Sequence, residues 1–349
     1  MRTAIIGGGG LVGSCAGFAL QCGGVVSELD LIDVNGDLVK GHALDLLHGA
    51  SLAADQRIRH SGYEVIPHCG MVIITAGLRR KPDESRLDLI NRNTQLFLTI
   101  LDQVKAAGLN KEAVVLVVSN PVDILTYVAA RKLDLPWSRV MGLGTVLDTA
   151  RFRSLIAEAM SLPATQVSAT ILGEHGDSMV PIWSHAQLAG MPLSSYPGWS
   201  THLGDQLFQR TRGGGAEAIK LKGGAGFAVG LSIREVVHAV ALDSKRILPV
   251  SSVIQGAYGI RDVALSVPTI VGRSGVAAQL QLELSPRETS ALQSSARVLR
   301  ETIDQVIAAN PGAAAGTPRR SASASPTASP GASAGGRGAV RVTMGGSGR

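Results

Sequence analysis

Short apolar runs alternate with longer amphipathic stretches through the first part of the chain. Turn residues bound each apolar run, and the runs occupy positions 4–6, 29–32, 71–74 and 113–118. Segments with apolar residues at helical spacing lie between them, for example at 37–47 and 87–104. Strands that alternate with helices predict an α/β domain, a doubly wound parallel sheet with helices on both faces. We assign this domain to residues 1–145.

The pattern changes from residue 146 onward. It predicts a helix at 148–160, a strand at 166–172 and a long helix at 227–246. A final amphipathic helix at 285–308 has Ser285 as its N-cap and Pro286 in its first turn. These elements predict a mixed α+β domain over residues 146–310. With 349 residues, of which 45% are apolar, the chain is large enough to form two hydrophobic cores.

The last segment, residues 311–349, is rich in Gly, Ala, Ser and Pro. Such a composition buries too little apolar surface to offset the entropy of ordering, so we predict a disordered tail. The tail contains five arginines and no acidic residue, and it therefore accounts for most of the net charge of +6. Because the basic character belongs to a dilute tail, we predict no nucleic-acid partner.

The three cysteines, Cys15, Cys22 and Cys69, lack the spacing of a metal site or of a secreted disulfide framework. The N-terminus enters a strand pattern at once, without the features of a signal peptide. No apolar run is long enough to span a bilayer. These features predict a cytoplasmic protein with reduced thiols, no bound metal and no membrane association.

A glycine-rich turn joins the first predicted strand to the first predicted helix. Gly8, Gly10 and Gly13 have the G-x-G-x-x-G spacing, which allows a tight turn, close approach of a pyrophosphate and close helix–strand packing. Asp33 ends the next strand, 20 residues after Gly13. A carboxylate there accepts hydrogen bonds from both ribose hydroxyls and repels a 2′-phosphate. The pattern therefore predicts Rossmann-type binding of NAD rather than NADP.

The predicted coenzyme contacts extend to another strand end. The strand at 71–74 is followed by small residues, which leave room for the nicotinamide half at the sheet edge. The predicted coenzyme-binding residues are Gly8, Gly10, Leu11, Val12, Gly13, Asp33, Thr75, Ala76, Gly77 and Asn120.

Two motifs carry side chains suited to proton transfer and anion binding. The pentapeptide GEHGD at 173–177 places His175 between two glycines, and histidine titrates near neutral pH. Asp148 and Arg151 lie three residues apart on a predicted helix, so they share one face. The polar loop at 77–89 contains Arg86, and its Gly and Pro residues are typical of a mobile lid.

These motifs, in this order, resemble the L-lactate/L-malate dehydrogenase family over residues 2–309. The resemblance implies an NAD-dependent oxidoreductase that transfers a hydride between NAD(H) and a small L-2-hydroxy acid/2-keto acid pair. It also implies a homo-oligomer, either a tetramer or a dimer.

The resemblance gives each chemical residue a role. His175 matches the proton donor and acceptor, and Asp148 matches the carboxylate that orients it. Arg151 matches the group that grips the substrate carboxylate, Arg86 the lid residue that polarises the carbonyl, and Asn120 an amide that binds the substrate. Reduction of a 2-keto acid places negative charge on the carbonyl oxygen, so a guanidinium and an imidazolium close to it lower the barrier.

Arg80 occupies the position that separates the two branches of the family, where malate enzymes carry arginine and lactate enzymes a neutral amide. A guanidinium there would pair with the second carboxylate of oxaloacetate and would face the methyl group of pyruvate unpaired. We therefore expect a narrow preference for L-malate/oxaloacetate. L-lactate/pyruvate is the alternative, because KPDESRLDL, GTVLDTARFR and GEHGDS resemble the lactate branch.

Two other classes fit the sequence less well. A non-catalytic dinucleotide sensor needs the glycines and Asp33. It does not need the combination of His175, Asp148, Arg86 and Arg151. A metal-dependent enzyme on the same nucleotide-binding fold needs Cys and His ligands near the nicotinamide, and Cys69 has no such neighbour in the pattern.

Overall fold

The computed structural model describes residues 1–78, 83–314 and 341–344. Its helices are α1 Leu11–Gly23, α2 Gly36–Gly49, α3 Arg86–Ala106, α4 Val122–Lys132, α5 Val146–Met160, α6 Thr201–Lys222, α7 Phe227–Ala241 and α8 Pro286–Ala309. The first six strands are β1 Arg2–Ile6, β2 Glu28–Ile32, β3 Arg57–His60, β4 Met71–Ile74, β5 Val114–Val117 and β6 Val140–Gly142.

Eleven further strands are described in the rest of the chain. The short ones are β7 Val167–Ser168, β8 Ile171–Leu172, β9 Val180–Pro181, β10 Gln187–Leu188, β11 Met191–Pro192 and β12 Arg246–Leu248. The longer ones are β13 Ser251–Gln255, β14 Arg261–Ser266, β15 Thr269–Gly272, β16 Gly275–Gln281 and β17 Arg341–Met344.

The largest sheet has the strand order β14-β13-β6-β5-β4-β1-β2-β3. Its six strands from β6 to β3 are parallel. The side chains of β4 and β5 are buried throughout, as expected for strands covered on both faces. This order reverses next to β1, so the carboxyl ends of β1 and β4 border a crevice. The predicted doubly wound sheet is confirmed.

The second half of the chain adds both strands and a core of its own. β13 and β14 extend the large sheet antiparallel beyond β6. A separate apolar cluster includes Phe152, Ile171 and Leu207, all buried. This mixed architecture agrees with the predicted α+β character.

Helices α1 and α7 join the two halves by a close contact. A Cβ atom on Gly230 of α7 would lie 2.6 Å from the carbonyl oxygen of Cys15 in α1. Glycine therefore allows the two backbones to approach each other here. The contact fixes the coenzyme-side helix against the C-terminal half.

Several predicted elements differ from the structure. The helix predicted at 227–246 ends at Ala241, because residues from Arg246 onward form β12. The strand predicted at 166–172 is two short strands, β7 and β8. β3 and the strands from β13 to β16 were not predicted at all.

Two short stretches of the tail predicted from residue 311 onward are among the described residues. Residues Pro311–Ala313 form a 3-10 turn in which Ala313 is fully buried. β17 pairs antiparallel with β16. Residues 315–340 and 345–349 lie outside the described residues.

Candidate active site

The glycine-rich turn between β1 and α1 forms a compact backbone cradle. Gly7 has φ +92°, and a Cβ atom on Gly13 would lie 2.2 Å from the Gly7 carbonyl oxygen. Gly10 is the N-cap of α1 and has no side chain to cap it. The first N–H groups of a helix lack intrahelical partners, so this end of α1 suits a diphosphate. The turn therefore fits the diphosphate of a dinucleotide.

Asp33 follows β2 beside this turn. Its Oδ2 accepts the backbone N–H of Gly9 at 2.9 Å, and its Oδ1 accepts that of Asn35 at 3.0 Å. These bonds hold the carboxylate next to the glycine turn, while its side chain stays partly exposed. The structure thus holds the Asp33 carboxylate beside the glycine turn, with part of its side chain open to solvent.

The segment after β4 lies against the same turn. The Thr75 hydroxyl donates to the carbonyl oxygens of Ile6 and Gly7 at 3.1 and 3.2 Å. The Ser119 hydroxyl, after β5, donates to the Ala76 carbonyl oxygen at 2.6 Å. The predicted residues 75–77 therefore lie at the carboxyl ends of the parallel strands, between the glycine turn and the end of β5.

His175, Asp148 and Arg151 meet at one buried carboxylate. Nδ1 of His175 lies 2.5 Å from Asp148 Oδ2, and Nη1 of Arg151 donates to Asp148 Oδ1 at 3.1 Å. The Asp148 side chain is 1% exposed and that of His175 is 24% exposed. The carboxylate lies in the first turn of α5, which directs it towards the loop that carries the imidazole.

These contacts set the charge of the pair. Burial lowers the pKa of His175, but the charge and hydrogen bond of Asp148 outweigh it and raise the pKa to about 9. Burial opposes ionisation of Asp148, and His175 and Arg151 overcome it, so that its pKa is lowered. At neutral pH the pair is therefore an imidazolium beside a carboxylate, ready to donate a proton.

Backbone hydrogen bonds fix the loop that carries His175. The N–H of Gly173 donates to the Ser266 carbonyl oxygen at 2.9 Å, and the N–H of Glu174 donates to Ser295 Oγ at 3.0 Å. The N–H of His175 donates to Asp123 Oδ2 at 2.7 Å. Strand β14, helix α8 and helix α4 thus hold three successive residues of the loop.

Arg86 lies beside the same loop. Its Nη1 donates to Asp177 Oδ2 at 2.7 Å, and its Nη2 lies 3.7 Å from Glu174 Oε1. The guanidinium side chain is 65% exposed. Arg86 begins α3, where Ser85 caps the helix. The structure therefore brings this arginine close to the His175 loop while leaving it in contact with solvent.

The other predicted substrate residues are placed less fully. Asn120 is exposed between β5 and α4, three residues before the carboxylate that binds the His175 backbone. Arg80 lies within residues 79–82, outside the described residues, so its role rests on the sequence alone.

Sequence reasoning missed three residues that build this site. Asp123 anchors His175, and Glu174 accepts the hydroxyl of Ser178 at 2.5 Å. Asn93 of α3 accepts the Leu78 N–H at 2.7 Å and so fixes the start of the loop that precedes α3. An acid in the first turn of the apolar helix α4 was a signal that could have identified Asp123.

Two sequence models of one family match most of the chain. The lactate/malate dehydrogenase NAD binding domain matches residues 1–142, and the lactate/malate dehydrogenase alpha/beta C-terminal domain matches residues 145–310. The chain therefore belongs to the lactate/malate dehydrogenase family.

Individual relatives agree with this assignment. L-lactate dehydrogenase 1 of Clostridium acetobutylicum is 40% identical over 305 residues, which are 86% of this chain and 97% of the relative. L-lactate dehydrogenase of Acetivibrio thermocellus is 38% identical over 308 residues, which are 87% of this chain and 96% of the relative. The crystal structure of minor L-lactate dehydrogenase from Enterococcus mundtii in the ligands-bound form gives a TM-score of 0.84 at 36% identity, over 87% of this chain and 98% of that chain.

The protein is thus an NAD-dependent dehydrogenase of small 2-keto or 2-hydroxy acids, and the predicted family, enzyme class and coenzyme are confirmed. Within the described residues, no helix has the length and apolarity needed to cross a membrane.

Proposed function

We propose that this protein interconverts pyruvate and L-lactate with NAD(H). The observation that carries the chemistry is the buried Asp148 carboxylate, which contacts both the His175 imidazole and the Arg151 guanidinium. The choice of substrate is supported by the relatives, since those described above are named L-lactate dehydrogenases. These names favour the lactate alternative over the malate preference expected from Arg80.

The proton step follows from the charge of the pair. His175, held as an imidazolium by Asp148, donates its proton to the carbonyl oxygen of the keto acid, and accepts it again from the hydroxyl in the reverse direction. Arg86 polarises that carbonyl from the neighbouring loop. Arg151 binds the substrate carboxylate through the N–H groups that Asp148 leaves free, because a guanidinium has five donors.

For the coenzyme we propose the binding residues predicted from the sequence. NAD, when bound, accepts or supplies the hydride. The chain would hold it with the backbone of the glycine turn, with Asp33 at the ribose, and with the small residues after β4. The full set proposed is Gly8, Gly10, Leu11, Val12, Gly13, Asp33, Thr75, Ala76, Gly77 and Asn120.

L-malate/oxaloacetate is the second candidate pair, and Arg80 is the observation that favours it. In a closed site a guanidinium that faces the methyl group of pyruvate would be left without a counter-charge. With oxaloacetate the guanidinium would gain a carboxylate partner. In a water-poor pocket this ion pair would strongly favour oxaloacetate over pyruvate.

Steady-state kinetics on both keto acids with NADH and NADPH test these proposals. We expect a higher kcat/KM for pyruvate than for oxaloacetate, and NADH preferred over NADPH because of Asp33. A higher kcat/KM for oxaloacetate would establish the malate candidate instead. Arg80→Gln should then lower kcat/KM for oxaloacetate relative to kcat/KM for pyruvate, whereas the matched variant Arg79→Gln should leave this preference unchanged.

We also propose that the protein is a cytoplasmic homo-oligomer. Helix α2 exposes Leu38, Leu44 and Leu47, and α7 exposes Phe227 and Leu231, which favours burial against a second copy. All three cysteines, which lie in the described ranges, are free thiols, as is usual in a reducing compartment. Light scattering on the purified protein measures the oligomeric state. A monomeric mass would contradict the proposed homo-oligomer.

A further inference from the structure

Asp123 is a buried acid that the proposed chemistry does not use. It lies in the first turn of α4, and its side chain is 2% exposed. Its Oδ2 accepts the backbone N–H of His175 at 2.7 Å. The bond crosses from the end of the coenzyme half to the loop that carries the imidazole.

The second oxygen of this carboxylate is unusual. Neither Asp123 Oδ1 nor the hydroxyl of Ser251, both buried, has a hydrogen-bond partner of ordinary geometry among the described residues. The two groups are near enough for the hydroxyl to favour the ionised carboxylate. A buried acid kept without full hydrogen bonding is costly, so its presence calls for a role.

The charges around Asp123 and His175 come from three elements. Burial raises the pKa of Asp123 to about 7, against the opposing effects of Ser251 and of the His175 N–H and charge. Glu174, in the loop, raises it further. Asp148 and Arg151, from α5, act on His175 with opposite signs, and Asp123 adds to the effect of Asp148.

Asp123 loses its proton at a lower pH than His175. Because burial raises the pKa of Asp123 only to about 7, below the pKa of about 9 to which Asp148 raises His175, the Asp123 carboxylate is largely charged where the imidazolium titrates. Its charge is therefore present when the imidazole has to keep or release the proton.

We propose that Asp123 is a second positioning carboxylate for His175, which anchors the backbone of the imidazole-bearing loop and adds a negative charge that favours the protonated ring. The inference rests on the proposed role of His175 as proton donor. Asp148 holds the ring from α5, and Asp123 holds its backbone from α4.

A purely structural role is the competing explanation. A carboxylate in the first turn of a helix stabilises that helix through its dipole, whatever the neighbouring loop does. Loss of such a role would lower the melting temperature but would leave the titration of His175 unchanged. The two roles therefore differ in a measurable way.

Asp123→Asn separates charge from anchoring, because the amide oxygen still accepts the His175 N–H. We expect the imidazole titration of His175, followed by NMR on histidine-labelled full-length protein with His175→Asn used for assignment, to move down by about 0.5 to 1 pH unit. The high-pH limb of kcat/KM for pyruvate should move with it. Asp205→Asn, at an exposed position on α6, is the matched control and should move neither.

Ser251→Ala is the second variant. Removing the hydroxyl raises the pKa of Asp123 towards that of His175, so that part of the carboxyl is neutral where the imidazolium titrates. The titration of His175 should therefore move in the same direction by a smaller amount. This variant carries the test if Asp123→Asn does not fold. An unchanged His175 titration in the folded variants, even with a lower melting temperature, would overturn the proposal.

The outcomes also separate this inference from the proposed function. Wild-type protein without turnover on any 2-keto acid would refute the proposed function, while the NMR titration would still report whether Asp123 acts on His175. Normal turnover with an unshifted titration would refute only the inference.

Discussion

A single carboxylate serves two cations in this site. Asp148 presents Oδ2 to His175 and Oδ1 to Arg151, and its side chain is almost wholly buried. A buried charge is tolerated when it is paired and hydrogen bonded, and removing a partner leaves it uncompensated. His175 and Arg151, the proposed proton donor and anion-binding group, therefore depend on the same carboxylate, and each is positioned partly by the other.

Arg151→Lys should weaken substrate binding specifically. A lysine keeps the charge but cannot contact Asp148 and a substrate carboxylate together through a planar fork. We expect kcat/KM for the keto acid to fall by about 10- to 100-fold, since a hydrogen bond to a charged group contributes about 1.5 to 3 kcal/mol. NADH affinity, measured by fluorescence, is the control and should be the same as in the wild type. Unchanged kcat/KM would contradict the assigned role.

The activity should depend on pH in opposite senses for the two directions. Reduction needs the imidazolium, so kcat/KM for pyruvate should be level below the pKa of His175, about 9, and fall above it. Oxidation needs the neutral ring, so its kcat/KM should rise with pH up to the same value. Asp148→Asn should move both limbs to lower pH, because the ring loses its counter-charge. If the two pH profiles of Asp148→Asn do not move, His175 is not the group that titrates.

At the scale of elements, the glycine turn and helix α6 show two different uses of glycine. Gly13 lies at a backbone crossing where a Cβ atom would meet the Gly7 carbonyl oxygen at 2.2 Å. A Cβ atom on Gly213, within the helical span of α6, would have no atom within 4 Å apart from its chain neighbours and the nearby backbone of α6. The first glycine is required by packing, whereas the second only lowers the helix propensity.

Alanine at these two glycines should have opposite effects. Gly13→Ala should displace the turn, weaken NADH binding by at least about tenfold and lower the free energy of unfolding by about 1 to 3 kcal/mol. Gly213→Ala should raise the free energy of unfolding by roughly 0.5 to 1 kcal/mol without changing NADH binding. Urea unfolding and fluorescence titration measure both quantities. Tight NADH binding by Gly13→Ala would show that the turn is not the diphosphate cradle.

Elements with a strong local pattern were predictable in both halves of the chain. Strands such as β4 and β5 are continuous apolar runs, and Ser285 with Pro286 marked the start of α8, where Ser285 and Glu288 form a capping box. β3 was missed because its sequence RIRH is polar for a strand, with its arginine at position 59 paired to buried Asp30. α6 was missed because three consecutive glycines interrupt its pattern.

The site was predictable as a set of residues but not as a set of contacts. His175, Asp148 and Arg151 were identified from motifs, and the structure brings them together. The bond from His175 to Asp123 joins positions 52 residues apart, and no local pattern encodes such a pairing. The position of Leu78, at the start of the predicted lid, depends on a tertiary contact in the same way, because its N–H donates to Asn93.

At the scale of the whole molecule, the C-terminal region divides into two parts. The 3-10 turn at Pro311–Ala313 belongs to the folded core, since Ala313 is buried against it. β17 lies at the edge of the sheet that it forms with β12, β15 and β16. The two parts should therefore respond differently to truncation.

Deletion of residues 315–349 should leave kcat and KM within about twofold of wild type, because the proposed site contains no residue from that segment. It exposes the edge of β16, so the truncated protein should aggregate more readily. Deletion from residue 311 should lower the free energy of unfolding by about 1 kcal/mol more, through loss of the buried alanine. Kinetics, light scattering and thermal unfolding of the two proteins measure these differences. A large loss of turnover on deletion of residues 315–349 would show that the tail contributes to catalysis.

The seam where β13 meets β6 has a practical consequence for recombination with relatives. Gly142 faces Ser251 there, and a Cβ atom on Gly142 would lie 2.2 Å from Thr126 Oγ1 and 3.2 Å from Ser251 Cβ. A chimera that exchanges the chain at this point must inherit a glycine and a small partner together. A crossover before position 126 or after position 251 takes all of these residues from one parent, whereas a crossover between them can pair a larger side chain with this seam and push the strands apart.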